Sequence, residues 1–114
     1  LRLMIDSRLA NEPAGTIDLY DFDLHHSKIA LGLFVAEKYR AKGYASQALQ
    51  LTEDYVFNFL KINQLYAFIA EYNRASRRLF EHRNYCCQAH LKEWVKTESG
   101  FEDVFVYQKF RVAR

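Results

Sequence analysis

The segment YRAKGYASQAL, Tyr39 to Leu49, places Arg40, Lys42, Gly43, Ala45 and Ser46 where an apolar run ends and helical spacing begins. A strand that ends just before a helix leaves a loop facing the helix N-terminus. That terminus carries unpaired backbone N–H groups and a partial positive charge. Gly43 lacks a Cβ, and the small Ala45 and Ser46 keep the first turn open to a close backbone approach. Arg40 and Lys42 add charge. The combination suits a pyrophosphate cradle. It is neither GxxxxGK[ST] nor GxGxxG. The plainer alternative is a glycine that only turns the chain into a helix.

A second basic cluster, Arg74, Arg77, Arg78 and Arg83, is opposed within its segment only by Glu81. It could meet phosphate, or it could be a solvated helix face. The whole chain carries a net charge of +2, which gives no support to nucleic-acid binding. The charge is uneven, with six basic and eight acidic residues in 1–57 and ten basic and six acidic in 58–114. The adjacent Cys86 and Cys87 point to opposite faces of a strand and are unsuited to a structural disulfide. With no CxxC, they point to a reducing cytoplasm. His25, His26, His82 and His90 are scattered and lack metal-ligand spacing. No metal, membrane or nucleic-acid partner is expected.

These residues need a frame. The 114-residue length and a hydrophobic fraction of 50% suit one domain with its own core. Leu1–Asp6 and Thr16–Phe22 alternate as strands, with NEPAG (Asn11–Gly15) as a turn between them. Lys28–Ala36 is a nearly continuous apolar strand, as in a sheet buried on both faces. From Gly43 the spacing becomes helical, with Ala45, Ala48, Leu49, Val56, Phe59 and Leu60 on the inner stripe and an end near Lys61–Asn63. Gln64–Ala70 is a short strand. Asn73 is an N-cap for a second helix, with Leu79 and Phe80 inward. YCCQAHLKEWV and FEDVFVYQKFRV are strands joined by a KTESG turn. The order is β-β-β-α-β-α-β-β, an α/β (α+β) domain with a mixed sheet.

Three blocks, in order, resemble a known family. RAKGYA is similar to the R/Q-x-x-G-x-G/A signature of the GCN5-related N-acetyltransferases, the GNAT superfamily. YNRASRRLFEHRNY (Tyr72–Tyr85) resembles its N-x-x-S-x-x-L-[FY]-E-x-x-G-F segment, and GFEDVFVYQKF its closing strand. The branch most resembled holds the ribosomal-protein and spermidine N-acetyltransferases. The resemblance covers essentially residues 1–114 as one acetyl-CoA-binding domain with a mixed, mostly antiparallel sheet. It implies that the family's usual N-terminal strand and two helices, one wall of the acceptor pocket, are missing ahead of Leu1.

It further implies that acetyl-CoA lies between two splayed parallel strands, Lys28–Ala36 and Gln64–Ala70. The main chain of Phe34 and Val35 would bond the pantetheine arm. Arg40, Lys42, Gly43, Tyr44, Ala45 and Ser46 would surround the pyrophosphate. Asn73 and Ser76 would lie along the pantetheine, and Arg77 or Arg78 would meet the 3′-phosphate. An amine would attack the thioester directly in a ternary complex, with a strand N–H, at Val35, facing the oxyanion.

The catalytic positions depart from the pattern. Phe80 stands where many members have a tyrosine acid, Asn84 where a glycine is usual, and Ile29–Leu31 where a glutamate is often found. Tyr85 is a candidate acid, with core packing as its alternative. Asp18, Tyr20 and Asp21 are candidate bases. The acceptor would be a primary amine: a protein N-terminus, a polyamine, an amino sugar or an antibiotic. The alternatives are a catalytically inactive acyl-CoA-binding module and an interaction domain. Half-exposed strand edges make a homodimer plausible.

Overall fold

The computed structural model describes residues 1–7, 12–40 and 43–112. Its elements are β1 (Arg2–Ser7), β2 (Glu12–Asp23), β3 (Lys28–Val35), α1 (Tyr44–Glu53), β4 (Gln64–Ala70), α2 (Arg74–His82), β5 (Cys86–Thr97) and β6 (Gly100–Phe110). One sheet has the order β1-β2-β3-β4-β6-β5. Every neighbouring pair is antiparallel except β3 with β4. The expected mixed α/β architecture and element order are therefore present.

The period-two pattern explains the layering. Leu65, Ala67 and Ile69 alternate along β4 and join Ile17, Leu19, Ile29 and Leu31 in one core. Leu49, Val56 and Phe57 cap this core from the first helical stretch, and Phe80 from the second. Both helices lie on the same face, because α2 meets β6 through Arg77 and Tyr107, and α1 meets it through Glu53 and Lys109. The other face carries Met4, Tyr20, Phe34 and Phe68, all exposed.

Two readings need correction. NEPAG is not wholly a turn. Glu12–Gly15 belong to β2, and Pro13 pairs with Asp6 where the ladder with β1 shifts register. A proline is tolerated at such an irregularity, and Asn11 lies outside the described residues. The first helix also does not keep one winding. After Glu53 it becomes π-helical over Asp54–Phe59, with Leu60 N donating to Tyr55 O. The wider turn shifts the inward register. Val56 and Phe57 are buried, while Phe59 is 74% exposed and stacks on Tyr55.

Candidate active site

The parallel ladder between β3 and β4 is short. It pairs Lys28 with Gln64, Ile29 with Leu65 and Ala30 with Tyr66, and then stops. β3 continues on β2 as far as Val35, and β4 continues on β6 as far as Ala70. The facing edges diverge and leave backbone groups without ladder partners. Such groups require satisfaction, and an extended, amide-bearing ligand can supply it. A notch of about 70 Å³ lies in the fork, bounded by Leu31, Gly32, Leu33, Ala67, Asn73, Ser76 and Phe80. Leu33, Asn73 and Ser76 also line a groove of about 750 Å³ that leads from the fork to the head of α1.

The sequence-predicted cradle stands along that groove. Gly43, at φ +83°, is the N-cap of α1 and makes no side-chain cap. Gln47 N donates to Gly43 O. Gln47 N is thus the first N–H with an intrahelical acceptor, and the N–H groups of Tyr44, Ala45 and Ser46 before it have none. No acidic residue sits in the first turn of α1. Arg40 lines the groove, and its Nε donates to Val35 O at 3.1 Å, fastening the loop to β3. The Tyr44 side chain is engaged elsewhere, its hydroxyl 3.0 Å from Ser7 Oγ and its ring edge-on to Tyr39. Lys42 lies outside the described residues.

The opposite wall comes from α2. Asn73 Oδ1 accepts Ser76 N at 3.2 Å, so the expected cap forms at the groove edge. Arg74 and Arg78 line the groove. Arg77, the alternative to Arg78 for the 3′-phosphate, is not among the residues that line the groove. Its Nε donates to the Tyr107 hydroxyl at 3.3 Å, and its guanidinium lies 4.3 Å from the Phe105 ring centre. Helical spacing sends Arg78 and Arg77 to different sides, and core packing decides which side faces the groove.

Strand pairing sets the direction of the main-chain groups at the end of β3. Ala36 N donates to Ala14 O across the β2–β3 pair. Alternation then turns the Phe34 peptide groups toward β2 and those of Leu33 and Val35 toward the fork. Leu33, which the motif did not single out, lines the groove with Phe34 and Val35. A Cβ on Gly15 would overlap the Phe34 carbonyl oxygen and lie 2.9 Å from Val35 Cα. Gly15→Val is thus expected to push β2 off the groove strand and cost roughly 1–3 kcal/mol or more. Thermal denaturation beside Gly32→Ala checks this, because a Cβ at Gly32 meets only Tyr20 Cε1 at 3.9 Å. Equal melting temperatures would refute it.

That Gly32 contact also places Tyr20. Its ring lies against the fork on the open face, where burial, then Asp21 and Asp18, push its phenol above the ordinary range. Asp21 has φ +49°, where the β2 ladder slips between Tyr20 and Asp23. Asp18 is committed to Arg2, at 2.7 Å, and is held low by that partner. Tyr85 is not at the fork. It is buried edge-on against Phe80, with burial and then Glu53 pushing its phenol upward. Core packing, the alternative for this residue, is what the structure contains. Cys86 and Cys87 are free and exposed. Among the described residues no His, Cys, Asp or Glu group could hold a metal, and no helix is long and apolar enough to cross a membrane.

A mixed sheet whose central parallel strands part over a basic, helix-headed groove is suited to an elongated anionic ligand with an amide-bearing arm. The chain belongs to the GNAT acetyltransferase domain family, whose model matches residues 2–83. It is 23% identical over 90 residues to the spermidine N(1)-acetyltransferase of Vibrio cholerae, which covers 79% of this chain and 52% of the relative. It is 24% identical over 80 residues to the same-named enzyme of Escherichia coli K12, covering 70% and 43%. The chain thus spans about half the length of these curated relatives. Its fold matches the solved spermidine/spermine N-acetyltransferase SpeG of Vibrio cholerae with a TM-score of 0.87 at 20% identity, covering 96% of this chain and 64% of that one. A GNAT-family acetyltransferase from Bacillus anthracis gives 0.86 at 23% identity, covering 96% and 66%.

Proposed function

We propose that this chain binds acetyl-CoA and transfers its acetyl group to a primary amine. The observation that carries the reading is the continuity of the groove. It runs from the unpaired N–H groups and arginines at α1 and α2 to open strand edges in the fork. The diphosphate would lie on Tyr44–Ser46 N–H groups, with Arg40, Arg74 and Arg78 supplying charge. The pantetheine amides would complete the edges of β3 and β4. The thioester would then reach the notch.

A neutral amine would approach through the open face near Gly32 and Tyr20 and attack the carbonyl carbon. A strand N–H would meet the developing oxyanion. Leu33 borders the notch whereas Val35 borders only the wider groove, so Leu33 is the better-placed donor. Positioning would supply much of the acceleration. The relatives' names make a polyamine the first acceptor to try, with peptide N-termini and amino sugars next. A non-catalytic acyl-CoA-binding role is the second reading, favoured by the hydroxyl-free Phe80 beside the fork.

Calorimetric titration of acetyl-CoA into the full-length protein tests the reading. Saturable binding is expected, weakened roughly five- to tenfold by Arg78→Ala because a charge-assisted contact is lost at an exposed site. If Arg78 meets the 3′-phosphate rather than the diphosphate, wild type should prefer CoA over 3′-dephospho-CoA and the variant should lose that preference. Absence of binding to folded protein would refute the reading. Binding without turnover across an amine panel would leave the non-catalytic role.

A further inference from the structure

On the proposed function, a group at the fork must meet the sulfur when the thioester breaks. Phe80 forms one wall of the notch and carries no proton to share. The Tyr85 hydroxyl is buried beyond it with no hydrogen-bond partner among the described residues. Tyr39, in the wider groove, is bound to Glu12. The polar side chains on the notch are Asn73 and Ser76. Asn73 Oδ1 is engaged by Ser76 N, which leaves the weaker amide donor Nδ2 and makes Ser76 the hydroxyl on the notch. Ser76 lies one helical turn before Phe80, on the same side of α2, and borders both the notch and the groove.

We propose that the Ser76 hydroxyl is the hydrogen-bond donor to the departing thiolate, in place of an acid at Phe80. As the amine nitrogen bonds to the carbonyl carbon, the carbon–sulfur bond breaks and its electron pair goes to sulfur. The nitrogen must shed one proton to become a neutral amide, and the sulfur must gain one. The two needs balance without any external acid. A serine hydroxyl is a far weaker acid than a thiol, so it shares its proton with the sulfur and keeps it. Its work is to lower the energy of sulfur's negative charge as the bond breaks.

The thiol of CoA itself reports this contact without any acceptor amine. The probe is CoA bound to the full-length protein, read by ultraviolet thiolate absorbance against CoA-free protein, which subtracts Cys86 and Cys87. Bound CoA is expected to ionise more readily than free CoA. Ser76→Ala should raise the bound midpoint by about one to two pH units, the equivalent of losing a hydrogen bond to a charged group. Ser76→Thr keeps the hydroxyl and should keep the midpoint. Phe80→Tyr added to Ser76→Ala should bring it back down. With an active acceptor at saturating acetyl-CoA, kcat should fall about tenfold or more in Ser76→Ala. Coincident midpoints for wild type and Ser76→Ala, with CoA bound to both, would overturn the proposal while leaving acetyl-CoA binding intact. Failure of wild-type protein to bind CoA would overturn both.

Discussion

Glu53→Ala is expected to lower the unfolding free energy by about 3–5 kcal/mol. Glu53 is 3% exposed, and its Oε1 accepts Arg83 Nη2 at 2.6 Å and Lys109 Nζ at 2.8 Å. One carboxylate thereby ties the end of α1 to the end of α2 and to β6. Alanine removes the anion and leaves two partly buried cations facing each other across a cavity. Lys109 also lies 5.6 Å from the centre of the Tyr85 ring, so the disturbance reaches the core under α2. The side chains of Arg83 and Lys109 retain 25% and 18% exposure, which lets each find some water and favours the lower part of the range. A loss of that size is a large part of a domain's usual margin of about 5–15 kcal/mol. Urea denaturation measures it directly. A loss below about 1 kcal/mol would mean that the carboxylate only decorates the helix end.

The second large effect concerns the cradle. Gly43→Glu should reduce acetyl-CoA affinity on the order of a hundredfold or more while the protein stays folded. Two costs are separable. Any L-residue at φ +83° is strained by about 1–2 kcal/mol. Glutamate further sets a negative charge among the N–H groups proposed to meet the diphosphate. The same charge favours the helix N-terminus by a fraction of a kcal/mol, which offsets part of the backbone strain. Gly43→Ala is the control. A Cβ there has no neighbour within 4 Å among the described residues, so alanine carries the strain without a clash or a charge. Alanine is expected to bind within a few fold of wild type. Equal affinity for the glutamate variant would show that the head of α1 does not hold the diphosphate. Equal loss in both would assign the effect to backbone conformation alone.

Much of the frame was legible because periodicity is a local property. Gln64–Ala70 alternates and forms the predicted strand with the predicted bounds. Asn73 caps the helix that its side chain suggested. Gly43 takes the left-handed conformation that its place at a strand-to-helix junction invites. The groove brings together Phe34, Val35, Arg40, Gly43, Ala45, Ser46, Asn73 and Ser76 because each sits at an element end that the pattern had located.

Other features depend on what packs where, which spacing cannot encode. Glu53 reads as a surface residue on an amphipathic helix. It is buried because Arg83, 30 residues later, and Lys109, 56 later, converge on it through the sheet. Arg77 and Arg78 are equivalent in sequence, yet Tyr107 and Phe105 draw one to β6 and leave the other in the groove. The peptide groups of Leu33 and Val35, and not those of Phe34, face the fork because pairing with β2 fixes their direction. The sequence by itself determined the elements, their order and the small-residue helix head, since these follow from short-range periodicity and backbone freedom. Only the tertiary structure decided which side chains those elements aim into the groove, because hydrogen-bond register and long-range ion pairing choose among directions that local spacing leaves equal.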